Sequence, residues 1–213
     1  MDDQRAYWDR AAASKTFAHP VNQRWLAAWL RPDDRILDYG CGYGRTLDGL
    51  ARQGFGNTLG VDFSPPMIER GRRAYPKLDL RVIDGLPMAE PDASFDAVLL
   101  FAVLTCIPAS EDQTRLVAEL RRVLRPGGLL YISDMPMQSD ARNLARYAAG
   151  EARFGVRGVF ETDDGAIVRH HTSRHFDDLL AGFDRLDAAS VQLTTMNGHA
   201  AEGWQILVRR GRD

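Results

Sequence analysis

Short apolar runs alternate with helix-length segments through the first 135 or so residues, and this rhythm constrains the fold more than any other feature of the sequence. Turn residues bound the runs, and the segments between them carry apolar residues at helical spacing. Strands that are apolar on both faces, each followed by a helix, are typical of a parallel sheet covered on both sides. The sequence therefore predicts a doubly wound α/β fold. The clearest runs are RILDYG, NTLGVD, LDLRVID, FDAVLLFAVL and GGLLYISD.

Two helix boundaries can be placed from local chemistry. Ser64 precedes Pro65 and Pro66, so we expect it to cap a helix whose first positions tolerate missing amide hydrogens. A second helix is expected to open on Ser110 and to stop before Pro126. The latter has the place of a crossover helix that feeds the next strand.

The rhythm changes beyond residue 134. Residues 135–182 predict a helix, a hairpin turning at Asp163, Asp164 and Gly165, and another helix. Two strand-like runs within residues 183–213 predict an antiparallel pair at the sheet edge. We therefore divide a single domain, residues 1–213, into a helical N-terminal flap (1–34), a core (35–134), an insertion (135–182) and a terminal strand pair (183–213).

Composition and charge limit the classes of function. The net charge of −2 provides no basic surface for nucleic acid, so a small-molecule partner is favoured. The acidic N-terminus and the lack of a long apolar stretch predict a cytoplasmic protein without a membrane segment. The two cysteines have no disulfide or metal spacing, so no metal is expected. The composition and the charge are compatible with both a monomer and a homodimer, so either is expected.

A glycine turn follows the first predicted strand. Gly40, Gly42 and Gly44 come just after Asp38, and such a turn lets the backbone approach a ligand closely, although a tight turn without a ligand remains an alternative. Asp62 lies 22 positions beyond Gly40, an offset at which a carboxylate can accept hydrogen bonds from ribose hydroxyls. A dinucleotide fingerprint would have a small residue at position 45, where this chain has Arg45.

ILDYGCGYG resembles the first motif of the class I S-adenosylmethionine-dependent methyltransferases. The resemblance continues in order through GVDFSPPMI, VIDGLPMAEPDASFDAVLL and VLRPGGLLYISD, and it covers residues 36–134. It implies a Rossmann-like sheet of seven mostly parallel strands with an antiparallel edge strand. It also implies S-adenosyl-L-methionine as cofactor, S-adenosyl-L-homocysteine as product, and methyl transfer by direct in-line displacement.

The resemblance also assigns cofactor-binding residues. It places the methionine part of the cofactor against Asp38, Gly40 and Gly42, and the ribose on Asp62. It places the adenine between Phe63, Met67 and the loop that holds Asp84. After the fourth strand, Phe101 and Ala102 are expected to contact the cofactor, mostly through backbone atoms. Three neighbours complete the expected set: Cys41, Arg45 and Gly85.

The acceptor side has weaker signals. Relatives often carry a histidine where this chain has Thr105, so the candidates for a general base lie elsewhere: Tyr7 and His19 in the flap, and His170 and His171 in the insertion. Alternation along a strand predicts that at most one of the last two faces the pocket. Arg169 is a candidate for holding an acidic group. Cys106 is expected to be a small core residue.

These patterns together predict a methyltransferase that acts on a small molecule. Two alternatives stay open. One is a nicotinamide-dependent oxidoreductase on a similar fold, against which Arg45 and the glycine spacing argue. The other is a non-catalytic protein that binds S-adenosylmethionine.

Overall fold

The computed structural model describes residues 2–212, which form nine strands and seven α-helices. The strands are β1 Ile36–Tyr39, β2 Thr58–Asp62, β3 Asp79–Val82, β4 Phe95–Phe101, β5 Leu124–Asp134, β6 Val159–Glu161, β7 Ile167–Arg169, β8 Phe183–Thr194 and β9 Ala200–Arg210. The helices are α1 Asp2–Ala11, α2 Gln23–Trp29, α3 Arg45–Ala51, α4 Pro65–Ala74, α5 Ser110–Val123, α6 Ala141–Phe154 and α7 Ser173–Leu179.

Seven strands pair in the order β3-β2-β1-β4-β5-β9-β8. The first five in the chain are mutually parallel, and β1 lies in the middle, with Leu37 opposite Leu59 on one side and Val98 on the other. β9 runs antiparallel to both of its neighbours, β5 and β8. The predicted fold class is therefore confirmed, including the terminal antiparallel pair at one end of the sheet.

Alternating residues of the central strands supply two apolar cores. Leu37, Val98 and Leu100 belong to a cluster on one face of the sheet, and Ile36 and Leu99 to a cluster on the other. Full burial of such side chains stabilises the fold by about 1.5–3 kcal/mol each. Because both faces are buried, the strands are apolar at almost every position, which explains the sequence pattern.

Ser64 occupies the N-cap position of α4, as expected, but its side chain does not cap the helix. The Ser64 hydroxyl instead donates a hydrogen bond of 2.6 Å to Asp9 of α1. The prediction that the Ser64 side chain caps α4 is therefore wrong, because the hydroxyl bonds to Asp9 and not to a backbone amide of the helix. The bond joins the N-terminal helix to the core at the edge of the glycine turn.

The insertion folds over the carboxyl ends of the strands. Its hairpin β6–β7 turns through Asp163 to Gly165, as the sequence predicts, and α6 lies directly against this hairpin. A Cβ on Gly150 of α6 would come within 1.9 Å of the carbonyl oxygen of Val159, so this close approach requires glycine. Within residues 2–212, no helix is both long and apolar enough to cross a membrane.

Candidate functional site

The glycine turn between β1 and α3 adopts the conformation that its sequence predicts. Gly40, Gly42 and Gly44 all have positive φ, at 71°, 55° and 81°. A Cβ on Gly40 would lie 2.4 Å from Cγ2 of Val103, and one on Gly42 would lie 3.0 Å from the ring of Phe17. The turn is therefore bare for two reasons, because its backbone is left-handed and because neighbouring side chains pass close to it.

Asp38, at the end of β1, is a buried carboxylate with an unused oxygen. The residue is 2% exposed, and its Oδ2 has no hydrogen-bond partner among the described residues. Burial raises the pKa of this carboxyl to about 7, even though Arg45 acts in the opposite direction. A buried acceptor without a donor is costly, so this position favours a ligand that donates hydrogen bonds or carries positive charge.

Asp62, at the end of β2, fastens the turn to the next helix. Its Oδ2 accepts a hydrogen bond of 2.9 Å from the amide of Gly42, and its Oδ1 accepts one of 2.9 Å from the amide of Ser64. Burial raises the pKa of Asp62 to about 6, while the two amide donors lower it. Each carboxylate oxygen keeps a second lone pair, so Asp62 can also accept from ligand hydroxyls.

The neighbouring positions differ in exposure. Met67 of α4 is 2% exposed and packs in the apolar cluster beneath the flap, yet it also lines the cavity. The Asp84 side chain is 98% exposed, with its carboxylate 3.8 Å from Arg5.

Ala102, directly after β4, has a positive φ of 55°, and the Cys106 thiol donates to its carbonyl oxygen at 3.1 Å. Burial raises the pKa of the Cys106 thiol, which makes it a poor nucleophile.

These positions surround one cavity of about 630 Å³ at the carboxyl edge of the sheet. All twelve residues expected to contact a cofactor line it. Residues of the flap and the insertion form a second part of the wall of this cavity: Trp8, Phe17, Gln138, Arg146, Phe160 and Ile167.

Two of the four candidates for a general base reach the cavity wall. His19 and His170 line it, and each is 8% exposed. Burial, reinforced by Arg45, lowers the pKa of His19 to about 4. Tyr7 and His171 lie away from the wall, so the structure corrects their assignment. The Tyr7 hydroxyl is bonded to Asp164, and strand alternation turns His171 towards Gln113, whose side-chain nitrogen is 2.9 Å from its Nε2.

One further expectation fails on geometry. Arg169 does not face the cavity, because its guanidinium donates to the carbonyl of Pro108 at 2.9 Å and to the hydroxyl of Ser110 at 2.8 Å. These contacts depend on how the insertion packs against residues 108–110, and no local sequence pattern reports that packing. Cys106 packs against an apolar cluster, as expected of a small core residue, and it also lines the cavity.

Part of the wall was not foreseen from sequence. Residues 193–197 and 199–201, from the end of β8, the β8–β9 connection and the start of β9, form one side of the cavity. Arg142 and Arg146 of α6 add positive charge to the same part. A strand pair at a sheet edge gives no sign that its connection reaches the ligand site, so the sequence lacked a signal for it. For the positive charge there was a signal, because Arg142 and Arg146 are four positions apart and therefore lie on one face of the predicted helix.

Comparison with known proteins gives consistent results. Residues 37–132 match a protein family described as "Methyltransferase domain". The 27-O-demethylrifamycin SV methyltransferase of Amycolatopsis mediterranei is 35% identical over 168 residues, which are 74% of this chain and 61% of that protein. The ribosomal protein L11 methyltransferase of Cupriavidus taiwanensis is 28% identical over 167 residues, which are 77% of this chain and 53% of that protein. The chain thus spans only 53% to 61% of the length of these curated relatives.

The fold also has solved counterparts. A SAM-dependent methyltransferase from Methanosarcina mazei superposes with a TM-score of 0.85 at 24% sequence identity, covering 91% of this chain and 99% of that chain. At this identity the likeness concerns the fold. The overall architecture therefore recurs in a protein of nearly the same extent.

Proposed function

Because the chain belongs to the class I S-adenosylmethionine-dependent methyltransferases, we propose that it transfers a methyl group from S-adenosylmethionine to a small-molecule acceptor. The observation that carries this proposal is the buried, unpartnered Oδ2 of Asp38, which lies beside the bare glycine turn in a cavity of about 630 Å³. A ligand with a cationic amino group would satisfy that oxygen. The methionine part of the cofactor has such a group.

The residues around the turn fit the cofactor. Asp38 and the backbone of Gly40 and Gly42 would hold its amino-acid part, and the free lone pairs of Asp62 would accept from its ribose hydroxyls. The exposed Asp84 carboxylate makes no hydrogen bond within the described part of the chain and is available to an adenine amino group. The remaining expected contacts are assigned to the same ligand: Cys41, Arg45, Phe63, Met67, Gly85, Phe101 and Ala102.

S-adenosylmethionine supplies an electrophilic methyl group on a sulfonium, so the protein must place an acceptor in line with it and exclude water. The flap serves the second purpose. Trp8 and Phe17 line the cavity, and the ring of Phe17 stacks on that of Tyr43 at a centroid distance of 5.7 Å. Three histidines line the cavity and would present imidazoles to an acceptor, namely His19, His170 and His199.

A small acceptor is supported by the enclosure of the second part of the cavity. The flap, the insertion and the β8–β9 connection each contribute to its wall, and they are held together at Asp164. A protein or nucleic-acid acceptor needs an extended contact surface, whereas this cavity is a concave site walled by three segments of the chain. The named acceptors of the two curated relatives, a rifamycin and a ribosomal protein, differ in this respect.

Isothermal titration calorimetry with S-adenosylhomocysteine and with NADH tests the cofactor. We expect saturable binding of the former only; binding of NADH alone would support an oxidoreductase. Methyl transfer from labelled S-adenosylmethionine is then measured with a panel of small carboxylates, phenols, amines and thiols, and with ribosomal protein L11. Cofactor binding without transfer to any of them would indicate a non-catalytic binding protein.

A further inference from the structure

Four residues of the insertion form a polar corner in the acceptor part of the cavity. The Tyr147 hydroxyl lies 2.7 Å from Nδ1 of His170. The His170 ring stands edge-on to Phe160 at a centroid distance of 5.0 Å. The guanidinium of Arg146 lies over the Phe160 ring, 4.9 Å from its centroid. Three of the four line the cavity, namely Arg146, Phe160 and His170.

The hydrogen bonds of Tyr147 determine which ring nitrogen of His170 carries the hydrogen. The Tyr147 oxygen accepts a hydrogen bond of 2.9 Å from the amide of Gln138, and its only other partner in the described chain is Nδ1 of His170. Tyr147 is 2% exposed, so its hydroxyl proton would be stranded unless Nδ1 accepts it. The neutral imidazole then carries its hydrogen on Nε2. That nitrogen makes no hydrogen bond within residues 2–212 and is not sealed off from the cavity.

His170 is neutral at ordinary pH. Burial, followed by the charge of Arg146, lowers its pKa to about 4, while Asp140 acts weakly in the opposite direction. A neutral imidazole with hydrogen on Nε2 presents a donor to the cavity. It has no free lone pair there with which to remove a proton from an acceptor.

Arg146 adds a charge that the protein itself neutralises poorly. Its nearest carboxylate is Asp163, at 3.7 Å, and the side chain of Asp163 is 89% exposed. Such a pair contributes little, because water screens it. Stacking on Phe160 holds the guanidinium at the wall, where it is available to a ligand.

We propose that the acceptor is a small organic acid, whose oxygen anion is bound by the Arg146 guanidinium and the Nε2–H of His170. Tyr147 is a positioning residue, because it selects the histidine tautomer without touching the ligand. This inference rests on the proposed function, since it takes the second part of the cavity as the acceptor site. It assigns His170 to recognition, and it removes His170 from the candidates for a general base.

The tautomer is measured directly by ¹⁵N NMR of histidine-labelled protein between pH 6 and 8, with and without S-adenosylhomocysteine. We expect the hydrogen of His170 on Nε2 in the parent protein and a mixture of tautomers in Y147F, with H170Q used to assign the signal. Hydrogen on Nδ1 in the parent protein would overturn the proposal. This readout does not depend on methyl transfer, so it separates failure of this inference from failure of the proposed function.

Anion recognition is tested with sodium benzoate and its neutral counterpart benzamide, each titrated into protein saturated with S-adenosylhomocysteine. We expect benzoate to shift the His170 Nε2 signal and to bind at least about tenfold more tightly than benzamide. R146Q should lose that preference. R153Q is the matched control, because Arg153 stacks on Phe154 of the same helix, 4.7 Å from the ring centroid, but does not line the cavity.

Equal binding of benzoate and benzamide, no saturable binding of benzoate, or an equal effect of R146Q and R153Q would each overturn the proposal. Thermal unfolding of every variant shows whether it is folded. If R146Q does not fold, R146K provides the same test, because a lysine keeps the charge but loses the planar stacking and the fork of donors. In that case a several-fold weaker preference for benzoate is expected.

Discussion

The Tyr7 hydroxyl donates a hydrogen bond of 2.9 Å to the Asp164 carboxylate, which joins two residues 157 positions apart in the chain. The Lys15 ammonium lies 2.6 Å from the same carboxylate, and the Asn197 amide donates to it at 3.2 Å. Three segments meet at this side chain, namely the flap, the β6–β7 turn and the β8–β9 connection. Asp164 is therefore a point at which all three segments are joined through one carboxylate.

We expect D164N to loosen the flap. The amide cannot pair with Lys15 and offers one acceptor oxygen in place of two, so local opening should become easier by about 1 kcal/mol. Hydrogen exchange measured by mass spectrometry should be several-fold faster over residues 2–18, and S-adenosylhomocysteine should bind more weakly. D163N is the control, since that neighbour is 89% exposed. The same exchange in both variants would show that Asp164 does not hold the flap.

We expect Gly40→Ala to abolish cofactor binding, and its effect on the stability of the fold to be smaller. The new Cβ would meet Val103 at 2.4 Å, and φ is 71°, so the turn must shift at a cost of about 1–3 kcal/mol. Gly49→Ala is the matched control, because a Cβ there meets nothing within 4 Å and the residue lies within α3. Calorimetry with S-adenosylhomocysteine checks binding, and thermal unfolding checks stability. Unchanged binding in Gly40→Ala would remove the glycine turn from the site.

The meeting of Asp38, Gly40 and Asp62 at one wall of the cavity could be predicted from sequence, because these residues follow strand ends within short motifs. The side chains that the flap and the insertion present to the cavity could not be predicted, because they depend on tertiary packing of segments without motifs. Alternation predicted that at most one of His170 and His171 faces the cavity, but which one depends on the side of the hairpin that packs against the sheet.

We expect D62N and D84N to differ in their effect on the stability of the protein. Asp62 is 7% exposed and accepts from the amides of Gly42 and Ser64, so an amide nitrogen facing either donor should cost about 1–3 kcal/mol of stability. The Asp84 side chain is 98% exposed, so D84N should leave thermal unfolding unchanged. Both variants should bind S-adenosylhomocysteine more weakly. Normal affinity in D84N would show that Asp84 does not contact the adenine.

The raised pKa of Asp38 sets a direction for the pH dependence of stability. Its carboxyl titrates near pH 7 in the folded protein, because of burial, and near 3.8 as a free group. Between these values the folded state holds a proton that the unfolded state has lost. The contribution of Asp38 to stability is therefore largest below pH 3.8, falls as the pH rises through this window, and levels off above about 7.

A cationic ligand beside Asp38 reverses the preference of this carboxyl. Because the ammonium of S-adenosylhomocysteine favours the ionised carboxylate, binding should release a proton below pH 7 and tighten as the pH rises from 5.5 to 7.5. Calorimetry at pH 6.5 in buffers of different ionisation enthalpy measures the released proton. D38N should bind more weakly and release fewer protons, whereas D48N, in the first turn of α3, should behave as the parent. Equal proton release by D38N and the parent protein would show that Asp38 does not face the ligand's ammonium.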